Sequence, residues 1–188
     1  MKYNFPADEK ILKDTKFNYI LYFNLLKISK FKRNENHRYF YEKDINLNIL
    51  AKNCFIGKVK LKNDLTHMIE KKILSRKETE LGYEYKIKNK FDSFLLIEES
   101  SIRPLLKKDG FLLKLFILYK KSNNQKGEYV KSRNGIAYDL GYRDCSYTLK
   151  KITNSNKSLM DLNYISIKKQ FLHTPMGLKI YQRITTLK

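Results

Sequence analysis

The sequence predicts an α+β fold, mainly helical, in which one run of elements occurs twice in tandem. Three observations lead there. Apolar residues recur at helical spacing in both halves, and each half ends in two alternating segments around a turn. The halves also match each other, with Ala51 and Ala137 lying 86 residues apart. At 188 residues the chain has room for two units of about 90 residues each. Hydrophobic residues at 42%, with 14 Tyr and 11 Phe, suffice for a packed core and argue against wholesale disorder.

Residues 1–14 are polar and read as a partly ordered N-terminal arm. Residues 16–30 carry Tyr19, Ile20, Phe23, Leu25, Leu26 and Ile28 and read as a first helix. Its end is basic, with Lys27, Lys30, Lys32 and Arg33, which suits a helix C-terminus. Residues 34–38 form a loop and 39–41 a short strand. Asp44 reads as the N-cap of a helix running through Asn53. Over residues 50–74, Ala51 allows a second helix to cross closely, Ile56 and Gly57 make the turn, and Leu61, Leu65, Met68 and Ile69 form one stripe. That is a helix-turn-helix. Residues 73–79 and 83–87 flank Glu80-Leu81-Gly82 as a hairpin, and 94–98 form a strand.

A boundary between the units falls between Lys88 and Lys108, dividing 15–92 from 93–188. Pro104 opens a turn over 105–108, residues 111–121 form an apolar helix, and 122–127 a polar loop. Residues 136–142 repeat residues 50–56, with Gly141 at the tight-turn position that favours positive φ. Residues 146–162 form a long helix expected to bury Cys145, Leu149, Ile152, Leu159 and Met160. Asn156 falls within that stripe, so either it hydrogen-bonds inward or the helix kinks near Asn154–Asn156. Residues 165–173 and 178–186 alternate around Thr174-Pro175-Met176-Gly177 as a second hairpin.

The formal net charge is +20 with a pI near 9.8, which implies a polyanionic partner, nucleic acid before an anionic membrane surface. AT-rich coding explains an excess of lysine over arginine. It does not explain 39 basic residues against 19 acidic ones. On the first of the paired helices Lys58, Lys60, Lys62, Asn63 and Thr66 fall outside the apolar stripe, together with Val59 and His67. On the second, Tyr147, Lys150, Lys151, Asn154 and Lys157 do so, with Arg143 at its entry. Asn reads adenine edges bidentately, and lysine serves guanine edges or phosphates. The first hairpin carries Glu78, Glu80 and Glu84, which repel phosphate. The second carries Lys168, Lys169, Gln170, His173, Lys179 and Arg183 and suits a backbone or a minor groove.

Catalytic constellations are missing from the pattern. His37, His67 and His173 are isolated, Cys54 and Cys145 have no metal-ligand spacing, and there is no glycine-rich phosphate loop. The expectation is no enzyme, no cofactor and no metal. Both cysteines read as small buried hydrophobes in a reducing cytoplasm. The N-terminus lacks a signal-peptide core and no apolar run is long enough to cross a bilayer, so the expected location is cytoplasmic, without a membrane partner.

A helix-turn-helix followed by a hairpin, twice over, resembles the winged-helix DNA-binding proteins of low-GC bacteria and their mobile elements. These include plasmid replication initiators built from two winged helices, and winged-helix regulators. The resemblance runs from Lys16 to Leu187 and is carried best by residues 136–142 with the helix and hairpin after them. It implies two tandem winged helix-turn-helix domains that bind double-stranded DNA in replication initiation or transcription regulation. Replication or transcription machinery would be further partners. A regulator would act as a homodimer on a palindrome, an initiator as a monomer on direct repeats. A protein-interaction or RNA-binding adaptor, including an accessory protein of a DNA-processing complex, is the alternative of another class.

Overall fold

The computed structural model describes residues 2–31, 37–80, 82–88, 91–106, 109–175 and 177–187. The first half begins with β1 (Lys2–Pro6), whose Tyr3 and Phe5 point inward, and α1 (Glu9–Lys13). Then comes α2 (Tyr19–Ile28), started by Asn18, whose side chain accepts from the Leu21 N–H. Tyr19 through Phe23, Leu25 and Leu26 are all buried, so α2 is a central helix covered on nearly every side. Strands β2 (Lys30–Phe31) and β3 (His37–Tyr41), a 3-10 turn, α3 (Leu47–Asn53) and α4 (Lys58–Glu70) follow. The half closes with the hairpin β4 (Leu74–Thr79) and β5 (Gly82–Lys88).

Among the described residues the second half follows the same order without a counterpart of β2 or the 3-10 turn: β6 (Phe94–Glu98), α5 (Glu99–Leu106), α6 (Gly110–Lys126), β7 (Tyr129–Lys131), α7 (Arg133–Asp139), α8 (Ser146–Asp161) and the hairpin β8 (Ile165–Thr174) and β9 (Gly177–Thr186). The fold is α+β, with eight α-helices and nine strands among the described residues. The sheets are small and antiparallel, in the orders β2-β3-β5-β4 and β7-β9-β8. In each half the strand before the helix pair lies beside the last strand.

Strands β1 and β6 hold the first place in their halves, and they pair with each other, antiparallel, from Lys2 opposite Glu98 to Pro6 opposite Phe94. An antiparallel pair of equivalent strands has a local two-fold at its centre, here near Asn4 and Leu96. The equivalent helices α2 and α6 also touch. A single buried cluster runs through both halves, from Phe5, Tyr22 and Leu25 to Phe116, Ile136 and Ile184.

Two details seal the joint between the halves. Lys114 of α6 is 2% exposed, and its ammonium donates to the carbonyls of Asp14, at 3.0 Å, and Leu140, at 3.1 Å. Burial lowers its pKa to about 8, partly opposed by Asp14. Beside it Gly141 has φ +74°, and a Cβ there would overlap the Lys13 carbonyl oxygen. Glycine is needed at this turn both for its conformation and for the approach of α1.

Several sequence expectations change. The arm over 1–14 is a strand and a helix from Lys2 to Lys13, because Tyr3, Phe5 and Leu12 are core residues. The N-cap of α3 is Asn46, which accepts from the N–H groups of Asn48 and Ile49; Asp44 instead closes the 3-10 turn by accepting from the Tyr41 N–H. Pro104 sits inside α5, which the burial of Ile102 and Leu105 holds together despite the lost donor. Residues 122–126 continue α6 to a left-handed cap at Gly127. Asn123 fastens that last stretch to β9, donating to the Ile184 carbonyl and accepting from the Thr186 N–H. The loop expected over 34–38 loses His37 and Arg38 to β3, which starts two residues earlier than read. Its remainder over 34–36, the basic residues Lys32 and Arg33, the turn residues Leu81 and Met176, and the end of the turn over 105–108 lie outside the described residues. No helix among the described residues is long and apolar enough to cross a membrane.

Two stability predictions follow from the joint. Gly127 also has positive φ, but its Cβ position is open. Gly127→Ala should therefore cost about 1–2 kcal/mol for the left-handed backbone alone, and Gly141→Ala distinctly more, as read by urea unfolding. Equal losses would mean that Lys13 does not press on Gly141. For Lys114 the charged form is penalised in the fold, so the penalty is present in full below pH 8, where folded and unfolded states are both protonated. It is relieved as pH rises from about 8 towards the ordinary value of 10.5, where the unfolded state binds the extra proton. Wild type should gain stability relative to Lys114→Met across that window; parallel pH profiles would refute the assignment.

Candidate nucleic-acid interface

Helices α4 and α8 present the two faces singled out in the sequence. Leu61 and Met68 are buried in α4, with Leu65 and Ile69 half-buried, so Val59, Lys62, Asn63 and Thr66 lie outward and exposed. Lys58, at the first turn, is exposed as well. In α8 the buried line is Thr148, Ile152, Ser155, Asn156 and Leu159. Tyr147, Lys150, Asn154 and Lys157 are exposed, and Arg143 is exposed in the preceding turn.

The two helices correspond position by position. In both halves a hydrogen bond closes the helix end, Ile73 N–H to Met68 and Tyr164 N–H to Leu159, and the residue before the donor has positive φ. These pairs are 91 residues apart. At the same offset Leu61 matches Ile152, Asp64 matches Ser155, and Met68 matches Leu159, all buried. The outward residues then align as Lys60 with Lys151 and Asn63 with Asn154. Val59 is replaced by Lys150 and Thr66 by Lys157, while Lys58 and Lys62 give way to Leu149 and Thr153, so the lysines shift along the face without changing in number.

Lys60 and Lys151 are both tied to the N-terminus of the central helix of their own half. Lys60 pairs with Asp64, which is 4% exposed and also accepts from Asn18 Nδ2 at 2.9 Å. Lys151 lies 3.5 Å from Asp109 and 4.6 Å from the centroid of Phe111. Asn18 and Asp109 are the caps of α2 and α6. Each carboxylate thus holds a lysine at the edge of a helix face. Both lysines line one cleft of about 320 Å³ between the halves, together with Lys16, Phe55, Phe111 and Tyr142.

The two hairpins differ in length and charge. Strands β8 and β9 run for ten residues each, against six and seven in β4 and β5. Lys168 stands opposite Arg183, Lys169 opposite Gln182, and Lys179 opposite Leu172. Like charges facing each other across strands destabilise a hairpin, so this pairing is not there for the fold; Arg183 is steadied by Glu128 at 3.1 Å. On the face opposite Lys168, Arg183 and Lys179, the residues Phe171, Ile180 and Leu178 continue the line of Ile167 and Ile184 outward and are exposed, with Lys169 and Gln182 between them. In the first hairpin Glu78 and Glu80 are exposed, whereas Glu84 is buried within 3.7 Å of Lys86.

Some expected positions move. Cys145 and Met160 are exposed, because α8 starts at Ser146 and turns Thr148 and Ser155 inward in their place. The Cys145 thiol is the cap position, and its hydrogen bond with Thr148 lowers its pKa. Cys54 is buried, with its thiol pushed up to about 12, and is inert. His67 is turned from the outer face of α4 to Asp14, Nε2 to Oδ2 at 2.7 Å. Asn156 takes the inward course: it accepts from the Tyr119 hydroxyl at 2.8 Å and donates to Gln182 at 3.1 Å.

Phe55 was not singled out by the sequence. It is 66% exposed with φ 56°, in the turn ahead of α4. The signal was available in the repeat itself, since Phe55 stands where the second half has Gly141.

Buried and outward residues of α8 should separate cleanly in stability. Asn156→Ala strands the Tyr119 hydroxyl and should cost about 1–3 kcal/mol. Lys150→Ala and Asn154→Ala should stay within about 0.5 kcal/mol of wild type. Thermal unfolding of the three variants checks this, and a large loss at Asn154 would assign that face to the fold. Compared with protein-family models, with curated proteins and with solved structures, the chain matches none.

Proposed function

We propose that the chain is a tandem winged-helix protein that binds double-stranded DNA sequence-specifically and catalyses no reaction. Its two units divide near residue 92, and each offers a helix-turn-helix with a hairpin wing. One observation carries the reading: α4 and α8 match at a fixed offset, and Lys60/Lys151 and Asn63/Asn154 recur at equivalent places on or beside their outward faces. Recurrence of buried residues is what any repeated fold gives. Recurrence of a lysine and an asparagine beside an outward face calls for a recurring partner, and a duplex offers the same groove twice. The net charge of +20 supports that partner. The setting is replication initiation or transcription regulation.

In this reading Asn63 and Asn154 read base edges, with Lys62, Thr66, Tyr147, Lys150 and Lys157 around them. Lys58, Lys60, Arg143 and Lys151 hold phosphates. The second wing, through Lys168, Lys169 and Lys179, follows the backbone beyond α8. The local two-fold between β1 and β6 favours inverted half-sites within one chain's footprint over direct repeats.

A second reading has an observation of its own. The exposed strip Phe171, Ile180 and Leu178 suits an apolar partner surface, as an adaptor in a DNA-processing complex would need.

The test is selection from a randomised duplex pool, read by fluorescence anisotropy at two salt concentrations. With six to ten phosphate contacts, non-specific affinity should fall by about 10³–10⁵-fold between about 50 and 200 mM salt. A motif should survive at the higher salt. It should be lost in the double variant Lys150→Glu/Asn154→Ala, and weakened less by Lys62→Glu/Asn63→Ala. Absence of duplex binding at either salt would overturn the reading in favour of the adaptor.

A further inference from the structure

Among the described residues three non-glycines have positive φ, Phe55, Lys72 and Asn163, and of these Phe55 alone carries an aromatic ring. It is a non-glycine residue in the left-handed region, φ 56°, yet its ring is 66% exposed and buries little in return. The equivalent turn in the second half is made by Gly141, at φ +74°. There a side chain is excluded by the Lys13 carbonyl. At Phe55 a side chain is merely disfavoured, and a glycine would relieve the turn at little loss of packing. Strain kept at an exposed aromatic points to a contact outside the chain.

Its surroundings identify the contact. Phe55 lies three residues before the first residue of α4 and lines the cleft between the halves, with Lys16 and Lys60 on its own side and Tyr142 and Lys151 across from it. The ring therefore stands among lysines near the place where the two halves meet, with Lys60 and Lys151 held by Asp64 and Asp109 and Lys16 beside them. Between two major-groove segments one helical turn apart, a duplex turns its minor groove to the protein. That groove concentrates negative potential, which attracts lysine, and its base steps open to apolar wedges.

We propose that Phe55 is such a wedge, entering the minor groove at the centre of the site and unstacking one base step, so that the bound duplex is bent away from it. Lys16, Lys60 and Lys151 bracket the opened step on the phosphates. Val59, 75% exposed and the second residue of α4, extends the apolar surface towards the first half-site. The inference rests on the duplex reading above, and it adds a centre of the site selected by deformability rather than by base contacts. Flexible pyrimidine–purine steps are the sequence class it prefers.

The experiment uses the duplex enriched by the wild-type chain, with 2-aminopurine at its central step, and the variant Phe55→Gly. Glycine takes the left-handed turn without strain, so the variant should fold with a melting temperature equal to or above that of wild type. Wild type should raise the 2-aminopurine fluorescence several-fold, and circularly permuted fragments should report a bend. Phe55→Gly should bind about tenfold more weakly, with neither the rise nor the full bend, and with its preference at the outer positions kept. A wild-type complex without a fluorescence change, or a Phe55→Gly complex with the same fluorescence and bend, would overturn the wedge while leaving the duplex reading in place. If wild type enriches no duplex, both fall together.

Discussion

Backbone pairing between β1 and β6 sets how the two halves face each other. Each strand is the first of its half, so the pair is symmetric, and the equivalent helices α2 and α6 meet across it. The pairing also brings α2 against α6, which places both caps, Asn18 and Asp109, on the cleft between the halves. Through those caps, Lys60 and Lys151 are oriented at the edges of α4 and α8. A chain of ordinary interactions, one ladder and two capped helices, thus carries symmetry from the core to the candidate interface.

The joint between the halves is built with little tolerance. A buried ammonium is expensive unless its donors are satisfied, and Lys114 satisfies two of them on carbonyls from opposite halves, Asp14 and Leu140. Gly141 lets α1 lie against the same turn. Both features favour one fixed arrangement of the halves over independent motion. For two recognition surfaces that address one duplex, a fixed arrangement means that the entropy of orienting the second surface is lost on folding rather than on binding.

Local pattern made much of this legible. Alternation around glycine placed both hairpins, β6 falls at residues 94–98 as read, and the match of residues 50–56 with 136–142 located Gly141. What escaped was set by distant partners. Residues 2–6 look like a polar arm because only pairing with β6 gives their alternation an inside and an outside. Residues 122–126 look like a loop, yet Asn123 is held by β9, 61 residues away in sequence. Pro104 stays helical because Ile102 and Leu105 are anchored in the core. Among the candidate site residues, outward positions on α4 and α8 could be read from helical phase. The ion pairs of Lys60 and Lys151, the turning-in of His67 and the exposure of Cys145 and Met160 could not, since each depends on where neighbouring elements begin.

The central claim is that one chain carries two related reading heads held by a local two-fold. Its most direct test is the symmetry and stoichiometry of the complex on the selected duplex, from a hydroxyl-radical footprint and the mass of the complex in solution. The account predicts one chain per site, protecting two segments about 10 bp apart on one face of the helix, with an imperfect inverted repeat as the motif. A direct repeat, a single protected half-site, or a requirement for two chains would contradict it.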